Sequence, residues 1–419
     1  MTDKKICIIG NGAAAIEAVK ALRENKYMGQ IHLFSDSIWP SYNPMLTTYY
    51  AAGKIDFSGM FPFGYGMDLY KEYDVKLHLG SPVVELDTNN RVVKNDAGEK
   101  FEYDKCLIAT GARPFVPPIK GVDNKKVLLV RTVEDALKLR EEVKKSPERV
   151  LVVGASMVGI KVVEMLNDIG VKVCLADLAS SIFPLAAHKE CANIIQEKLV
   201  EKGVELRLGA SLTGIEETPN GLKGYFGESD SIEADFIVLC IGVRPNLSFV
   251  DKNQITIDRG IVVDDHMRTN DENVYAAGDV SQGTNLLTGK KQIIGLWTNA
   301  RYQGRTAGRN MAGVEDVFKG NTLHNITHFM DMVFAGIGDL YGGERHETVE
   351  ECDSYVQLVW NEEKLVGVNT IGKSSSNIGI IKNALEKSLI EDNHLDSKCL
   401  CSTNLRDSLL MKNFVKHKI

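Results

Sequence analysis

One arrangement occurs twice in this chain and constrains its fold more than any other feature. An apolar run enters a turn of small residues, an amphipathic segment follows, and a second apolar run ends the unit. The first copy spans residues 4–36 with its turn at 10–15, and the second starts at residue 149 with its turn at 154–159. A strand, a helix and a parallel strand joined in this way form a dinucleotide-binding unit. Two copies about 140 residues apart are far more specific than one, and they predict two such units.

The small residues of the first turn have separate roles. Gly10 makes the tight turn, Gly12 lets a pyrophosphate approach the backbone, and Ala15 lets the helix pack closely on the strand. The pyrophosphate would then meet free N–H groups at Ala13 and Ala14, at the positive end of the helix dipole. This turn is therefore expected to hold a dinucleotide.

An acidic residue ends the second unit at the place where a ribose would lie. Asp177 follows Gly159 by 18 positions, and a carboxylate there can accept hydrogen bonds from both hydroxyls of an adenosine ribose. The same carboxylate would repel a 2′-phosphate, which favours NADH over NADPH. In the first unit Ser35 holds this place and Asp36 follows it.

Two more turns of small residues suit the close approach of a backbone to a cofactor. A buried strand at 105–108 enters Ala109, Thr110 and Gly111, and Gly242 lies in a similar turn at 240–246. Both are expected beside a dinucleotide.

A short strand around residue 275 ends in Gly278 and Asp279. At the carboxyl edge of an open α/β sheet, such a carboxylate faces the cofactor crevice. The alternative is that Asp279 only caps the next helix. The two preceding glycine turns favour the crevice.

The predicted fold class is α/β, with two Rossmann-like, three-layer domains followed by a small α+β domain. The pattern predicts a strand at 149–153, a helix at 183–199 and a strand at 233–240. A helix with many small residues is predicted at 297–311, and the pattern then changes to alternating strands at 327–334, 355–360 and 365–370 and a helix at 377–387. The predicted domains are 1–116 with 243–318 for the first dinucleotide, 117–242 for the second, and 319–419 as a C-terminal interface domain.

Composition narrows the function classes. The 419 residues are 44% hydrophobic and carry a net charge of −7, which gives no general reason to expect nucleic acid or an anionic membrane as a partner. No apolar run reaches the roughly 18 to 20 residues that span a bilayer. The apolar run after Lys4 is too short for a signal peptide, so a cytoplasmic location is expected.

The eight cysteines do not indicate a secreted disulfide framework. Cys7, Cys106, Cys174 and Cys240 lie in apolar strands and Cys191 in a helical pattern, as small buried thiols do. Three late cysteines occupy polar places and could join a metal or cluster site, but their spacing matches no four-cysteine pattern. We therefore predict no metal site and leave open the role of those three, which are Cys352, Cys399 and Cys401.

Taken together, these motifs resemble the pyridine nucleotide-disulfide oxidoreductase superfamily. The resemblance is to its rubredoxin reductases, ferredoxin reductases and nitrite reductase flavoproteins, and to the flavin subunits that link NAD to multi-subunit iron–sulfur enzymes. It covers almost the whole chain and implies FAD and NADH as cofactors, with an iron–sulfur protein or subunit as electron partner.

The resemblance also implies which residues contact each cofactor. Those for FAD are Gly10, Gly12, Ala13, Ala14, Ala15, Ser35, Asp36, Asn43, Pro44, Thr48, Ala109, Thr110, Gly111, Arg113, Gly278, Asp279 and Trp297. Those for NADH are Gly154, Ser156, Met157, Val158, Gly159, Asp177 and Gly242.

The chain departs from this family beside the flavin. Disulfide reductases carry two cysteines on the helix after the first unit, and peroxidases and oxidases carry one, but residues 41–50 contain none. Several electron-transfer members have a basic residue and a lysine where this chain has Asn43 and Thr48. We therefore expect no thiol relay, and little positive charge beside the flavin, which would lower its potential.

A further departure lies in the nucleotide unit. Relatives commonly have an aromatic residue at Met157 and a glutamate at Lys161, near the nicotinamide. Met157 could still shield the flavin face as a flexible apolar side chain. Lys161 changes the usual nicotinamide contact.

The function that these features predict is an FAD-dependent NADH:electron-carrier oxidoreductase, in which the flavin does the chemistry and no side chain is an essential acid, base or nucleophile. Two alternatives stay open: an NADH oxidase that uses oxygen, and a structural flavoprotein subunit with vestigial sites. A homo-oligomer or a hetero-complex is possible. An acidic partner could dock on a basic patch, or the patch could be an ordinary solvated face; its residues are Lys290, Lys291, Arg301, Arg305 and Arg309.

Overall fold

A computed structural model describes residues 4–351, 354–362, 364–372 and 378–386 of the chain. Its described residues group into two compact units. Unit 1 draws on Met1–Phe115, Arg131–Arg140 and Val243–Asn321. Unit 2 draws on Val116–Val130, Glu141–Gly242 and Thr322–Ile419.

The secondary structure follows in chain order. The first elements are β1 (Lys5–Ile9), α1 (Ala13–Glu24), β2 (Gln30–Phe34), α2 (Thr47–Ala51), α3 (Asp68–Glu72), β3 (Val75–His78), β4 (Val83–Asp87), β5 (Val92–Asn95), β6 (Lys100–Glu102), β7 (Lys105–Ile108) and β8 (Ala112–Pro114), with 3₁₀ helices at Pro44–Leu46 and Phe57–Met60. The middle elements are β9 (Val127–Leu129), α4 (Val133–Lys144), β10 (Arg149–Val153), α5 (Met157–Asp168), β11 (Lys172–Asp177), α6 (Lys189–Glu201), β12 (Glu205–Leu208), β13 (Gly214–Thr218), β14 (Gly221–Tyr225), β15 (Ser231–Ala234) and β16 (Phe236–Leu239).

The remaining elements complete both units. They are β17 (Val243–Pro245), β18 (Ile261–Val262), β19 (Val274–Ala276), β20 (Ser281–Thr284), β21 (Lys291–Gln292), α7 (Trp297–Met311), β22 (His324–Phe329), β23 (Met332–Gly338), β24 (Arg345–Glu351), β25 (Ser354–Asn361), β26 (Lys364–Gly372) and α8 (Ile378–Glu386).

Unit 1 is built on a parallel sheet with the strand order β19-β7-β1-β2-β3. Three small sheets accompany it: the antiparallel β4-β5-β6 and β17-β8, and β18-β20-β21. Helices α1 and α7 pack unusually closely, because a Cβ on Gly304 or Gly308 would overlap the backbone of Ala14 or Ala18. This contact places the first half of α1 against the second half of α7.

Unit 2 contains a second parallel sheet, with the order β12-β11-β10-β16-β9. It also contains the antiparallel sheets β13-β14-β15 and β22-β23-β26-β25-β24. The latter has its own core, in which Trp360, Leu358 and Val368 are fully buried and α8 contributes Ile381 and Leu385. The predicted α/β fold class with two Rossmann-like sheets is confirmed, whereas the three domain boundaries stay a prediction.

Three local expectations were wrong. The strand expected at 233–240 is two strands in different sheets, because Asp235 interrupts it and accepts the N–H groups of Glu148 and Arg149. The strand expected at 327–334 is a hairpin that turns at Met330 and Asp331, both with positive φ. The helix expected from residue 183 begins only at Lys189.

Candidate functional site

A cavity of about 460 Å³ lies in unit 1 where β1, β2, β7 and β19 end. Most residues predicted to contact FAD line it. They are Gly10, Gly12, Ala13, Ala14, Ser35, Asp36, Pro44, Ala109, Thr110, Gly111, Arg113, Gly278, Asp279 and Trp297.

Three predicted FAD residues do not line this cavity. Ala15 is fully buried inside α1, as a residue in helix–strand packing would be. Asn43 caps the 3₁₀ helix, since its Oδ1 accepts the N–H of Met45 at 3.0 Å. Thr48 is buried in α2. A direct flavin contact for these residues stays a prediction.

The first glycine turn is shaped to hold a pyrophosphate. Gly10 has φ 107°, its N–H donates to Phe34 O at 2.8 Å, and a Cβ here would overlap the carbonyl of Ala109. Gly12 begins α1 without any side-chain cap, the first turn has no acidic residue, and no atom lies within 4 Å of where its Cβ would be. A side chain would fill the space that a pyrophosphate needs, so these residues fit the group.

Arg131 lines the same cavity and was missed by sequence reasoning. Its Nη2 lies 2.9 Å from Asp279 Oδ2, and the two side chains are 25% and 19% exposed. A capping box fixes its position, because Asp135 Oδ2 accepts the N–H groups of Arg131 and Thr132 while Thr132 Oγ1 accepts that of Asp135. Because Arg131 is paired with Asp279, the pair adds no net charge to the cavity, and the expectation of little positive charge beside the flavin stays a prediction. The capping residues Thr132 and Asp135 can be recognised in the sequence, but the contact between Arg131 and Asp279, which are 148 residues apart, cannot.

A buried tyrosine supports the turn from behind. Tyr70 is 4% exposed, and its hydroxyl donates to Asn11 Oδ1 at 2.9 Å and accepts the N–H of Ser41 at 2.8 Å. Burial raises the pKa of Tyr70, so the hydroxyl stays protonated. It thus ties the middle of the glycine turn to the segment that carries Pro44. No motif pointed to this residue.

The second glycine turn lies in unit 2 and has the same backbone form. Gly154 has φ 112°, and a Cβ there would overlap the carbonyl of Cys240. Gly159 is packed so closely that a Cβ would overlap Gly154 O. Ser156 caps α5, as its Oγ accepts the N–H of Gly159 at 3.2 Å and donates to Cys240 O at 2.9 Å.

The acid of this unit is held in place by backbone amides. Asp177 Oδ2 accepts the N–H of Ala155 at 2.6 Å, and Oδ1 accepts that of Ala179 at 2.7 Å. The carboxylate is therefore oriented at the sheet edge, where a ribose hydroxyl could share its remaining lone pairs.

The other predicted nucleotide residues surround this turn. Met157 is half-buried and Val158 is 42% exposed at the start of α5, and Gly242 has φ 95° with open space beside it. Lys161 is only 16% exposed, pairs with Glu164 at 2.9 Å and donates to the carbonyl of His328. Its ammonium is thus engaged by the protein.

No cysteine lines the cavity of unit 1 within the part of the chain that the structure describes. The described cysteines are all buried, and burial raises the pKa of Cys7, Cys174 and Cys240 to about 12. Such thiols are inert. Cys352, Cys399 and Cys401 lie outside the described residues, and among the described residues no group of three or more metal-ligating side chains occurs.

Most of the predicted basic patch is neutralised. Arg301 and Arg305 both pair with Glu17, at 2.7 and 3.1 Å, and Glu17 is only 2% exposed. Arg309 pairs with Asp316 and Lys291 pairs with Asp265. Lys290 is exposed and, among the described residues, forms no ion pair. Arg301 and Arg305 of α7 are therefore first of all partners for a buried carboxylate.

The sequence pattern of the pyridine nucleotide-disulphide oxidoreductase family matches residues 4–304, and the chain belongs to this family. The predicted family is thereby confirmed, together with its cofactor pair of FAD and a nicotinamide dinucleotide. The protein is an NAD(P)H-dependent flavoprotein oxidoreductase.

Two curated relatives cover most of this chain. The assimilatory nitrate reductase electron transfer subunit of Bacillus subtilis (strain 168) is 25% identical over 393 residues, or 92% of this chain and 50% of that protein. Subunit epsilon of the NADH-dependent phenylglyoxylate dehydrogenase of Aromatoleum evansii is 29% identical over 351 residues, or 83% of this chain and 82% of that subunit. The chain thus spans about half of the first relative and most of the second.

A solved structure supports the fold. The reductase in the covalent putidaredoxin reductase–putidaredoxin complex matches with a TM-score of 0.88 and 21% identity, over 98% of this chain and 99% of that one. At this identity the likeness shows the fold alone. Among the described residues, no helix is long and apolar enough to cross a bilayer.

Proposed function

We propose that this protein exchanges electrons between NADH and a one-electron iron–sulfur carrier by way of FAD. In the forward direction, NADH and two oxidised carriers give NAD⁺, a proton and two reduced carriers. FAD, when bound, supplies the chemistry that converts a hydride into two single electrons. The protein contributes binding, orientation and electrostatics.

The observation that carries this proposal is the wall of the unit 1 cavity. Glycines, prolines, Arg131 and Asp279 line it, and no cysteine does so among the described residues. Disulfide and peroxide chemistry need an accessible, low-pKa thiol. Direct electron transfer from the flavin to an external carrier needs no thiol. Such a transfer agrees with the names of the two curated relatives, an electron transfer subunit and a subunit of an NADH-dependent dehydrogenase.

In this proposal, the residues around the first glycine turn bind FAD and those around the second bind NADH. The Gly12 cradle would hold the pyrophosphate of FAD, and Asp279, oriented by Arg131, would accept hydrogen bonds from its sugar-alcohol chain. Asp177 would bind the adenosine ribose of NADH and repel a 2′-phosphate, which is why we propose NADH rather than NADPH. A cytoplasmic location remains part of the proposal.

An anaerobic titration of the full-length, flavin-containing protein tests this function. NADH should bleach the flavin band promptly, NADPH should do so only at much higher concentration, and added ferredoxin should then be reduced. If flavin is bound but neither nucleotide bleaches it, the proposal fails. Oxygen consumption that accounts for all NADH oxidised would indicate an oxidase instead.

The docking surface needs a test that leaves the buried carboxylate intact. Replacing Arg305 would remove a partner of Glu17, so Lys290→Glu is the better variant. It should slow ferredoxin reduction at low salt and leave NADH-to-dye activity unchanged. Arg259→Glu is the matched control, as Arg259 is an exposed cation of the same unit. Equal loss in both variants would contradict docking at Lys290.

A further inference from the structure

The nucleotide turn of unit 2 is connected to the C-terminal sheet by two charged side chains of α5. Lys161 and Glu164 are one helical turn apart, their charged atoms lie 2.9 Å apart, and they are only 16% and 14% exposed. A buried ion pair is costly unless its remaining donors and acceptors are satisfied. These two residues therefore need further partners.

Those partners are backbone groups of the β22–β23 hairpin. Lys161 Nζ donates to His328 O, and Glu164 Oε1 accepts the N–H of Met330 at 3.1 Å. Met330 and Asp331 have φ values of 45° and 64°, which form the tight two-residue turn of this hairpin. The pair thus binds the hairpin on both sides of its turn.

A second contact joins the same hairpin to the nucleotide turn. The N–H of Phe183 donates to Ala155 O at 3.0 Å, inside the glycine turn. Its ring contacts Phe329 and Phe334, with ring centroids 6.1 and 5.0 Å apart. The turn that would carry a pyrophosphate is therefore supported by the hairpin through α5 and through Phe183.

We infer that Lys161 and Glu164 are positioning residues for the nicotinamide dinucleotide, acting through the hairpin. They hold the start of α5 and the hairpin in one arrangement, and the nucleotide binds that arrangement. Because coupling between two sites is reciprocal, nucleotide binding must in turn protect the hairpin. This inference rests on the proposed binding of NADH at residues 154–159.

A purely structural role makes a different prediction. An ion pair that only stabilises the fold would change the unfolding midpoint but neither the KM for NADH nor the response of the hairpin to NADH. Lys198 and Glu201 on α6 offer a matched control, since they are also a lysine and a glutamate three residues apart, paired at 3.0 Å. Their side chains are 34% and 66% exposed and hold no hairpin.

The experiment compares Lys161→Met with Lys198→Met in the full-length flavoprotein. We expect Lys161→Met to raise the KM for NADH about tenfold, within the usual range of coupling between sites, with a much smaller change in kcat. NADH should slow hydrogen exchange at the Met330 amide in the wild type and in Lys198→Met but not in Lys161→Met. Lys161→Arg, which keeps the donors, should restore both properties.

The results separate this inference from the proposed function. An unchanged KM and unchanged Met330 protection in Lys161→Met would overturn the inference while the NADH assignment stands. A wild-type flavin that NADH does not reduce would overturn the assignment, and exchange at Met330 without nucleotide would still report whether the pair holds the hairpin. If Lys161→Met does not fold, Glu164→Gln, which keeps an acceptor for Met330, decides by the same two measurements.

Discussion

The two glycine turns have the same backbone and different helix caps. Gly10 donates to Phe34 O at 2.8 Å in unit 1, and Gly154 donates to Ala176 O at 2.7 Å in unit 2. In both, a Cβ would overlap the carbonyl that ends a neighbouring strand. Gly12 offers α1 no side-chain cap, whereas Ser156 caps α5.

The residues at the end of the second strand differ as well. Ser35 directly follows β2 and its Oγ accepts the N–H of Ser37 at 3.2 Å, while Asp177 ends β11 and binds two backbone amides with its carboxylate. An uncapped helix start leaves more N–H groups for a ligand, and an acid selects a ribose without a 2′-phosphate. The first glycine of each turn thus determines the backbone, and under the proposed function the cap and the acid would determine which dinucleotide binds.

The largest effect is expected at Gly10, because both turns have the same backbone conformation at their first glycine. Gly10→Ala places a Cβ at φ 107° against the carbonyl of Ala109, so the turn must move. We expect a loss of roughly 3 kcal/mol or more in the free energy of unfolding, with loss of flavin. Urea denaturation and the flavin content of the purified protein measure both. Near-wild-type stability would show that this backbone is not required.

The second-largest effect is expected at Gly12 and tests the difference between the helix caps of the two turns. Gly12→Ser puts into the first turn the cap of the second, and no atom lies within 4 Å to oppose its Cβ. The fold should be kept, but the hydroxyl occupies the cradle and binds an N–H group that the pyrophosphate needs. We expect FAD affinity to fall at least about tenfold, or roughly 1.4 kcal/mol. Fluorescence titration of flavin-free protein checks this, and wild-type affinity would contradict the importance of an uncapped start.

Local patterns predicted the parts of the structure that depend on local contacts. The predicted bounds of β10 and α7 are those observed, because apolar period and small residues mark them directly. Arg131 and the Lys161 contact were not predicted, because their partners lie 148 and 167 residues away in sequence. Lys161 was expected near the nicotinamide. The structure shows that its ammonium pairs with Glu164 and donates to His328 O of the β22–β23 hairpin.

A smaller effect is expected from the reverse exchange. Ser156→Gly gives the second turn the uncapped form of the first and removes the hydrogen bonds to Gly159 and Cys240. Glycine is itself tolerated at a cap, so we expect a loss of about 0.5 to 1 kcal/mol in the free energy of unfolding. Thermal unfolding of the two proteins checks this. A loss as large as that of Gly10→Ala would mean that the cap, and not the glycine, holds the second turn.

The smallest effect concerns the strands after the turns, where corresponding positions hold different titratable groups. His32 on β2 has its Nδ1 3.1 Å from His78 Nε2, whereas Cys174 takes its place on β11. Burial, with the nearby His78, Lys76 and Lys5, lowers the pKa of His32 from 6.5 to about 4. Burial also lowers the pKa of His78, although Glu99 opposes this. Burial raises the pKa of Cys174 to about 12.

These shifts make the parallel sheet of unit 1 more sensitive to acid than the parallel sheet of unit 2, whose strands hold no histidine. A histidine with a lowered pKa binds protons more readily when unfolded, so its contribution to stability is present above about pH 6.5 and is lost as the pH falls toward about 4. Because both rings are partly exposed, we expect a loss of about 1 kcal/mol between pH 7 and pH 5. His32→Phe, which keeps an aromatic ring beside Phe34, should remove the part of this loss that comes from His32. Hydrogen exchange in β2 and in β11 at both pH values measures the two parallel sheets separately. An equal loss in β11 would show that the sensitivity to acid does not come from the His32–His78 pair.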